Sequence, residues 1–278
     1  RQRIIVGGSG NATGTITNTS GSTIDVAAVA NASAGGFGSA NANVQVDDIV
    51  EQDVQSSGNG DATGTILNSG SIFGAASATA SSTSSSASAR ARVRDGIEQD
   101  ISAHNGNATG TITNSATISL DAFANATTGQ QGGSANANAN ADGGIEQFVQ
   151  SSGSANADAT GLIENSGSIL LSGSAFATAQ SGSANANANA SNGIDQDVQR
   201  DEDGHGNATG TITSTSADTI SLRALASASA GYYNLANANA EVDNGIDQNV
   251  QRYGEGDGDA TGTVDNSSTD TKIGRASC

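Results

Sequence analysis

The sequence predicts an all-β protein, a flattened β-solenoid built from five to six rungs of about 48 residues each. Three observations predict this fold: a long internal repeat, a strict alternation of side chains within each repeat, and the complete absence of proline. Stacked repeats bury together an apolar face that none of them could bury alone. Proline would remove a ladder hydrogen bond from any rung. We expect a single repeat domain that spans residues 1–278.

The repeat is marked by two motifs. The tripeptide Ala-Thr-Gly recurs with spacings of 46 to 52 residues. Its copies begin at Ala12, Ala62, Ala108, Ala159, Ala208 and Ala260. A second motif, Ile/Val-x-Gln-x-Val/Ile, is centred on Gln52, Gln99, Gln147, Gln196 and Gln248. A fixed period of this length is the sequence signature of a stacked architecture.

Within each unit, every second residue is apolar, small or an amide. In the fourth unit this set runs from Ala159 to Ala179 and resumes from Ala184 to Val198. A period of two places these side chains on one face of a strand, whereas a helix would require a period of 3.6. We therefore expect two long strands per unit, joined by Gly/Ser-rich turns. The unit could form one flattened rung or two shorter coils, and one rung is favoured because the Ala-rich arms beside a turn would then face each other.

Composition alone leaves two interpretations. Leu, Ile, Val and Phe make up about 16% of the chain and the net charge is −18, which is typical of a disordered chain. A repetitive fold with a thin core of small residues has the same composition. The alternation favours the thin core, since most of the large apolar residues share one face. The acidic charge disfavours nucleic acid as a partner, and no apolar run is long enough to span a membrane.

Two columns of amides lie on the predicted inward face. An unpaired buried amide costs about 1–3 kcal/mol, but stacked amides in register can bond to the rungs above and below. A slip of one residue would turn every amide outward, so such columns also fix the register. The expected ladders consist of Gln52, Gln99, Gln147, Gln196 and Gln248, and of Asn18, Asn68, Asn114 and Asn165.

A stack of rungs also exposes two edges that favour assembly. Open, self-similar edges promote head-to-tail contacts that do not close into a ring. We expect the apolar and amide residues of the edge rungs to form these contacts, with identical subunits as partners. The expected assembly residues are Gln2, Ile4, Val6, Val264 and Ile273.

The spacing of Gln, Gly-x-Gly, Asn and Ala resembles the curlin repeats of bacterial functional amyloid. The segment from Gln55 through Gly58 and Gly60 to Ala62 carries this resemblance. The unit is about twice the length of a curlin repeat, and its Ala-Asn arms have no curlin counterpart. More broadly, the rungs are similar to secreted bacterial β-solenoid fibres and adhesins. The resemblance implies an extracellular, secreted or cell-surface location and a filament or biofilm-matrix role.

Carboxylates form the main candidate metal ligands. One outward column lies beside the Gln column, and further acids lie in the turns, where oxygen-rich loops suit Ca²⁺. No segment has the spacing of an EF-hand loop, and a solvated acidic face is the alternative. The candidate Ca²⁺ ligands are Glu51, Glu98, Glu146, Asp195, Asp247, Asp201, Asp203, Asp257 and Asp259. No other cofactor is expected.

The sequence thus favours a structural protein that polymerises into an extracellular filament. A monomeric, Ca²⁺-stiffened segment of a larger surface adhesin is the alternative. A weaker alternative is an ice-binding face formed by the outward Thr-x-Thr array, which Leu162 interrupts. An enzyme is not expected, because the chain lacks Trp and has only three Tyr to stack on sugars, and it shows no catalytic constellation.

Overall fold

The computed structural model describes residues 1–129, 133–153, 156–201, 206–215, 219–231, 235–253, 259–266 and, for the backbone alone, 269–277. These residues form parallel sheets, A to D, whose strands are numbered along the chain. Among the described residues, no helix has the length and the apolar character needed to cross a membrane.

Each rung contributes one strand to each sheet, except that the last described rung has no strand in sheet D. Sheet A contains β1 (Gln2–Val6), β5 (Val50–Ser56), β9 (Ile97–His104), β13 (Ile145–Ser152), β17 (Ile194–Arg200) and β21 (Ile246–Arg252). Sheet B contains β2 (Ala12–Asn18), β6 (Ala62–Asn68), β10 (Ala108–Asn114), β14 (Ala159–Asn165), β18 (Ala208–Ser214) and β22 (Ala260–Asn266). Sheet C contains β3 (Thr23–Ala34), β7 (Ser71–Ser82), β11 (Ile118–Thr128), β15 (Ile169–Ala179), β19 (Thr219–Ala230) and β23 (Thr269–Ser277). Sheet D contains β4 (Ala40–Val46), β8 (Ala87–Arg94), β12 (Ala135–Asp142), β16 (Ala184–Ser191) and β20 (Ala236–Val242).

The predicted β-solenoid is confirmed, and each repeat unit makes one rung. Strand β1 pairs with β5 so that Gln2 lies beside Gln52, and β10 pairs with β14 so that Ala108 lies beside Ala159. Every residue of a strand thus meets the equivalent residue of the next unit. Parallel strands lie about 4.8 Å apart, so the molecule rises by that distance for each unit of 46 to 52 residues.

The expectation of two long strands per unit is wrong, because each arm bends at a corner and forms two strands. The corner between sheets D and A places one residue per rung in the left-handed region, with φ between 36° and 67°. Asx residues and glycine tolerate this region better than other types, and they occupy the corner in every rung described there. These corner residues are Asp48, Asp95, Gly143, Asn192 and Asn244.

The core is thin and dominated by alanine. The inward alanines of sheets C and D pack against each other, with isoleucines and leucines such as Ile118 and Leu120 beside the corners. A smaller cluster between sheets A and B contains Val54, Ile101 and Val149. Alanine permits the two layers to approach closely, so a low content of large apolar residues is enough to close this core.

Candidate functional site

The Gln column forms a continuous hydrogen-bonded ladder through the core. Gln99 donates from Nε2 to Oε1 of Gln52 at 2.8 Å, and the other steps are 2.7 or 2.8 Å. Each Nε2 also donates to a backbone carbonyl of sheet B in its own rung, as from Gln99 to Thr111 at 3.2 Å. Both amide protons are therefore used, and the ladder joins sheet A to sheet B as well as rung to rung. The ladder extends to Gln2 on the edge strand β1.

The glycine of Ala-Thr-Gly provides the space for this ladder. A Cβ on Gly110 would lie 2.8 Å from Gln99 Oε1 and 2.8 Å from Val149 Cγ2. The equivalent atom on Gly161 would lie 2.8 Å from Gln147 Oε1. Contacts this short do not occur at real side chains, so the glycine and the glutamine of each rung depend on each other.

The Asn column forms a second ladder at the corner between sheets B and C. Asn18 donates from Nδ2 to Oδ1 of Asn68 at 2.7 Å, and Asn68 and Asn114 continue the chain at the same distance. Asn165 ends it by donating to the carbonyl of Gly167 at 3.0 Å. In the next rung Ser214 occupies this column. The Asn ladder donates towards the C-terminal rungs, whereas the Gln ladder donates towards the N-terminal ones.

A third ladder, which the sequence prediction missed, lies in the turns between sheets A and B. Oδ1 of Asp61 accepts the backbone N–H of Asn107 at 2.9 Å, and Oδ1 of Asn107 accepts the N–H of Asp158 at 2.9 Å. The sequence contains a signal for this ladder, because an Asn or an Asp precedes every Ala-Thr-Gly. The members alternate between the two types: Asn11, Asp61, Asn107, Asp158, Asn207 and Asp259. This alternation separates the carboxylates by two rungs, which weakens their mutual repulsion.

Arg200 is a second feature that the sequence prediction missed. Its side chain is 1% exposed and points inward at the end of β17. It donates to the carbonyls of Ala157 at 2.8 Å and Gly153 at 2.7 Å, so backbone oxygens of the preceding turn solvate the buried charge. The alternation of side chains places position 200 on the inward face, so the sequence alone was enough to predict that Arg200 points into the core.

The predicted assembly residues lie on the two edges of the stack. Gln2, Ile4 and Val6 are the half-buried inward side chains of β1, which pairs with β5 alone among the described strands. Val264 lies on β22 and is 47% exposed. Ile273 belongs to β23, where only the backbone is described. Val264 thus lies on an inward column of sheet B, whereas Ile273 lies in register with Arg223, an outward position of β19.

The predicted acidic column lies on the outer face of sheet A, and we call it and its acidic neighbours the carboxylate ridge. Glu98 lies directly between Glu51 and Glu146, one rung apart on each side. A parallel column two residues further along carries acids on β5, β9 and β17, whereas β13 and β21 carry Phe148 and Asn249 there. The ridge comprises Glu51, Glu98, Glu146, Asp195 and Asp247, with Asp53, Asp100 and Asp197 beside them and Asp48 and Asp95 at the corner.

Burial and neighbouring acids raise the pKa values of Asp95, Glu98 and Asp195 on this ridge. Burial, followed by the charge of Glu146, raises the pKa of Asp95 to about 8. Burial and the charge of Asp48 raise the pKa of Glu98 to about 7, and burial together with Glu146 raises that of Asp195 to about 6. Buried carboxylates at rung spacing lose part of their hydration and repel each other, so these three acids hold protons more tightly than isolated acids do.

The predicted Ca²⁺ ligands do not form one site. Among the described residues, one acidic group brings three ligand oxygens within 4.8 Å of one another, and it consists of Asp48, Asp95 and Glu98. Of these, the sequence prediction included Glu98 alone. Asp48 and Asp95 were missed because corner residues could not be distinguished from strand residues by their alternation.

The turn acids that were predicted as ligands are placed elsewhere. Asp201 accepts a hydrogen bond from Gln150, and Asp259 belongs to the turn ladder. Asp203 and Asp257 lie outside the described residues. The two described turn acids therefore do not extend the cluster of oxygens at the corner.

The outward threonines of sheet B lie in register across the rungs. Thr109 is flanked by Thr63 and Thr160, and the neighbouring column carries Leu162 in place of threonine. Glu164 lies on the same face two residues further along β14. The fourth rung therefore breaks the regular hydroxyl array that an ice-binding surface would need.

The chain matches no protein-family model, no curated protein and no solved structure. The resemblance to curlin repeats and to secreted β-solenoid fibres rests on the sequence features alone.

Proposed function

We propose that this chain is a structural subunit of an extracellular filament, which it builds by head-to-tail stacking of β-solenoid rungs. The observation that carries the proposal is the constant register of the stack. The Gln52–Gln2 step at the edge has the same length, 2.8 Å, as the Gln99–Gln52 step inside. A rung added at an edge would meet the same strands, ladders and corners that every interior rung meets.

The edges support the same proposal. The inward face of strand β1 carries one amide and two apolar residues, and among the described strands none pairs with its outer backbone groups, which are available to another parallel strand. Subunits that stack head to tail along one axis, without closing into a ring, form an open fibre. The fibre would resemble functional amyloid in its parallel, in-register strands, which is consistent with a biofilm-matrix or surface-fibre role.

Electron microscopy of the purified chain tests this proposal. We expect unbranched fibres that lengthen with time at concentrations where the free chain is depleted from solution. Seeds of sheared fibres should shorten the lag phase, because a formed edge templates the next rung. A monodisperse monomer at high concentration, with no fibres after seeding, would overturn the proposal.

A second candidate function is that of a monomeric, cation-stiffened segment of a surface adhesin. The proximity of Asp48, Asp95 and Glu98, with ligand oxygens within 4.8 Å, favours it. Ca²⁺ would relieve the repulsion between these acids, so its addition would raise the melting temperature. Glu98→Gln would abolish this rise, whereas Asp121→Asn on the exposed face of sheet C would not. An unchanged melting temperature in the wild-type chain would contradict this candidate.

A further inference from the structure

The two edges of the stack carry opposite charges on one column of sheet A and a cation and an amide on a second column. Arg1 and Arg3 flank Gln2, at the positions where other rungs carry ridge carboxylates. Arg1 pairs with Glu51 at 3.1 Å and Arg3 pairs with Asp53 at 3.0 Å. Both arginine side chains remain more than half exposed, at 59% and 55%. They can therefore contact a second group on their free side.

At the other edge, the same columns end in an acid and an amide. Asp247 and Asn249 flank Gln248 on β21, and both are exposed. No described residue lies beyond them in sheet A. The N-terminal edge therefore presents cations where the C-terminal edge presents an acid and an amide oxygen.

The Gln ladder has the same polarity. Each glutamine from Gln52 onwards donates to the glutamine of the preceding rung. Gln2 belongs to the first rung, so it uses one amide proton for the carbonyl of Thr15 and has no described acceptor for the other. At the opposite edge, Gln248 donates to Gln196, and no described residue donates to its own Oε1. The first edge offers a donor and the last edge an acceptor, on one continuous column.

We propose that β1 of one copy of this chain docks on β21 of another, with Arg1 against Asp247, Gln2 Nε2 donating to Gln248 Oε1, and Arg3 against Asn249. The inference rests on the proposed filament function and specifies the contact that builds it. Arg1 would then lie between Glu51 of its own copy and Asp247 of its neighbour, which continues the ridge column with an alternating charge. The joint is formed through the edges of sheets A, B and C.

The same features disfavour the other pairings of edges, in which the two meeting strands would be antiparallel. With Gln2 against Gln2, two N-terminal edges would bring Arg1 of one copy against Arg3 of the other and one amide donor against another. With Gln248 against Gln248, two C-terminal edges would bring one amide acceptor against another. Like charges in direct contact disfavour an interface strongly. The filament is therefore polar, with every subunit pointing in the same direction.

Two charge reversals and their mixture test the joint. Arg1→Glu alone places a glutamate against Asp247, and Asp247→Lys alone places a lysine against Arg1, so each variant should elongate about tenfold more slowly than wild type or worse. In a mixture, copies of the two variants can alternate along the fibre. Each introduced glutamate then meets an introduced lysine, and each remaining Arg1 meets a remaining Asp247. The mixture should therefore recover most of the wild-type rate.

Matched controls make the same charge changes away from the joint. Arg223→Glu and Asp121→Lys lie on the exposed face of sheet C, in interior rungs. Both controls should elongate at the wild-type rate, since neither residue lies on β1 or β21.

Each outcome bears on one claim. Slow single variants, a fast mixture and wild-type behaviour of both controls would support the joint, and high salt should reduce the difference between variants because it screens exposed charges. The joint would be overturned if wild-type fibres form but the single variants elongate at the wild-type rate. It would also be overturned if the mixture elongates no faster than either variant alone. Both results would leave the filament proposal standing. A wild-type chain that forms no fibres would overturn the filament proposal itself.

Discussion

Gln99 and Gly110 lie opposite each other across the core of the third rung, so closely that a Cβ on Gly110 would stand 2.8 Å from Gln99 Oε1. Gln99 uses this space to donate to the carbonyl of Thr111 at 3.2 Å. The pair explains why the two motifs of the repeat occur together: the glutamine fills the volume that the glycine leaves.

Gly110→Ala should destabilise the chain by about 1–3 kcal/mol, because the added methyl group overpacks the core against Gln99 and Val149. Urea unfolding followed by circular dichroism measures this loss. Gly35→Ala is the matched control, since a Cβ there meets nothing within 4 Å. Equal stability of the two variants would contradict the pairing of Gln99 with Gly110.

Gln147→Leu should cost at least about 2 kcal/mol, because it removes the donor to Gln99 Oε1 and the acceptor for Gln196 Nε2 in a buried setting. Gln2→Leu breaks one ladder step at the half-buried edge and should cost about 1 kcal/mol or less. Urea midpoints of the two variants provide the comparison. A larger loss for the edge variant would show that the ladder does not stabilise the interior.

Stability should decrease as the pH rises from about 4 to about 8. Asp95, Glu98 and Asp195 have folded-state pKa values of about 8, 7 and 6, above their ordinary values of 3.8, 4.5 and 3.8. The folded chain therefore holds more protons than the unfolded chain in this window, so its stability is greatest in acid and is lost as these acids ionise. Melting temperatures measured with a chelator present would show the trend.

Asp95→Asn provides the control for this pH dependence. Asparagine keeps the left-handed corner conformation but cannot ionise. The variant should melt at a higher temperature than wild type at pH 8.5 and should show a flatter pH profile. Asp121→Asn, on the exposed face of sheet C, should retain the wild-type profile. A wild-type stability that rises between pH 6 and pH 8 would contradict this account of the ridge.

Asn244→Val should destabilise the chain by about 1–2 kcal/mol, because Asn244 lies at the corner with φ of 36° and a β-branched residue is strained there. Asn244→Gly relieves this strain and should be close to neutral. Thermal unfolding of both variants measures the difference. Tolerance of valine at wild-type stability would mean that the corner does not require a left-handed residue.

The alternation of side chains was sufficient to predict the face of each strand, the rung and two ladders. It could not reveal the corners. Asn165, Gly167 and Ile169 keep the same parity through one bend, and Ala190, Asn192 and Ile194 keep it through the other. A corner that spans an even number of positions leaves the alternation intact, so two strands looked like one.

The corner acids were missed for the same physical reason. Asp48 and Asp95 approach Glu98 only because the chain turns between sheets D and A. Arg200 differs, since its position on the inward face followed from the alternation, but the carbonyls that solvate its charge come from a turn whose shape the sequence does not specify. Contacts within a column were predictable, and contacts across a bend were not.

X-ray diffraction from oriented fibres of the wild-type chain tests the head-to-tail stack most directly. Six rungs at about 4.8 Å each give an axial subunit repeat of about 29 Å. We predict a strong meridional reflection at about 4.8 Å together with a weaker axial repeat near 29 Å. Fibres without the meridional reflection at about 4.8 Å, or a chain that stays a 27.1 kDa monomer at every concentration, would contradict the account.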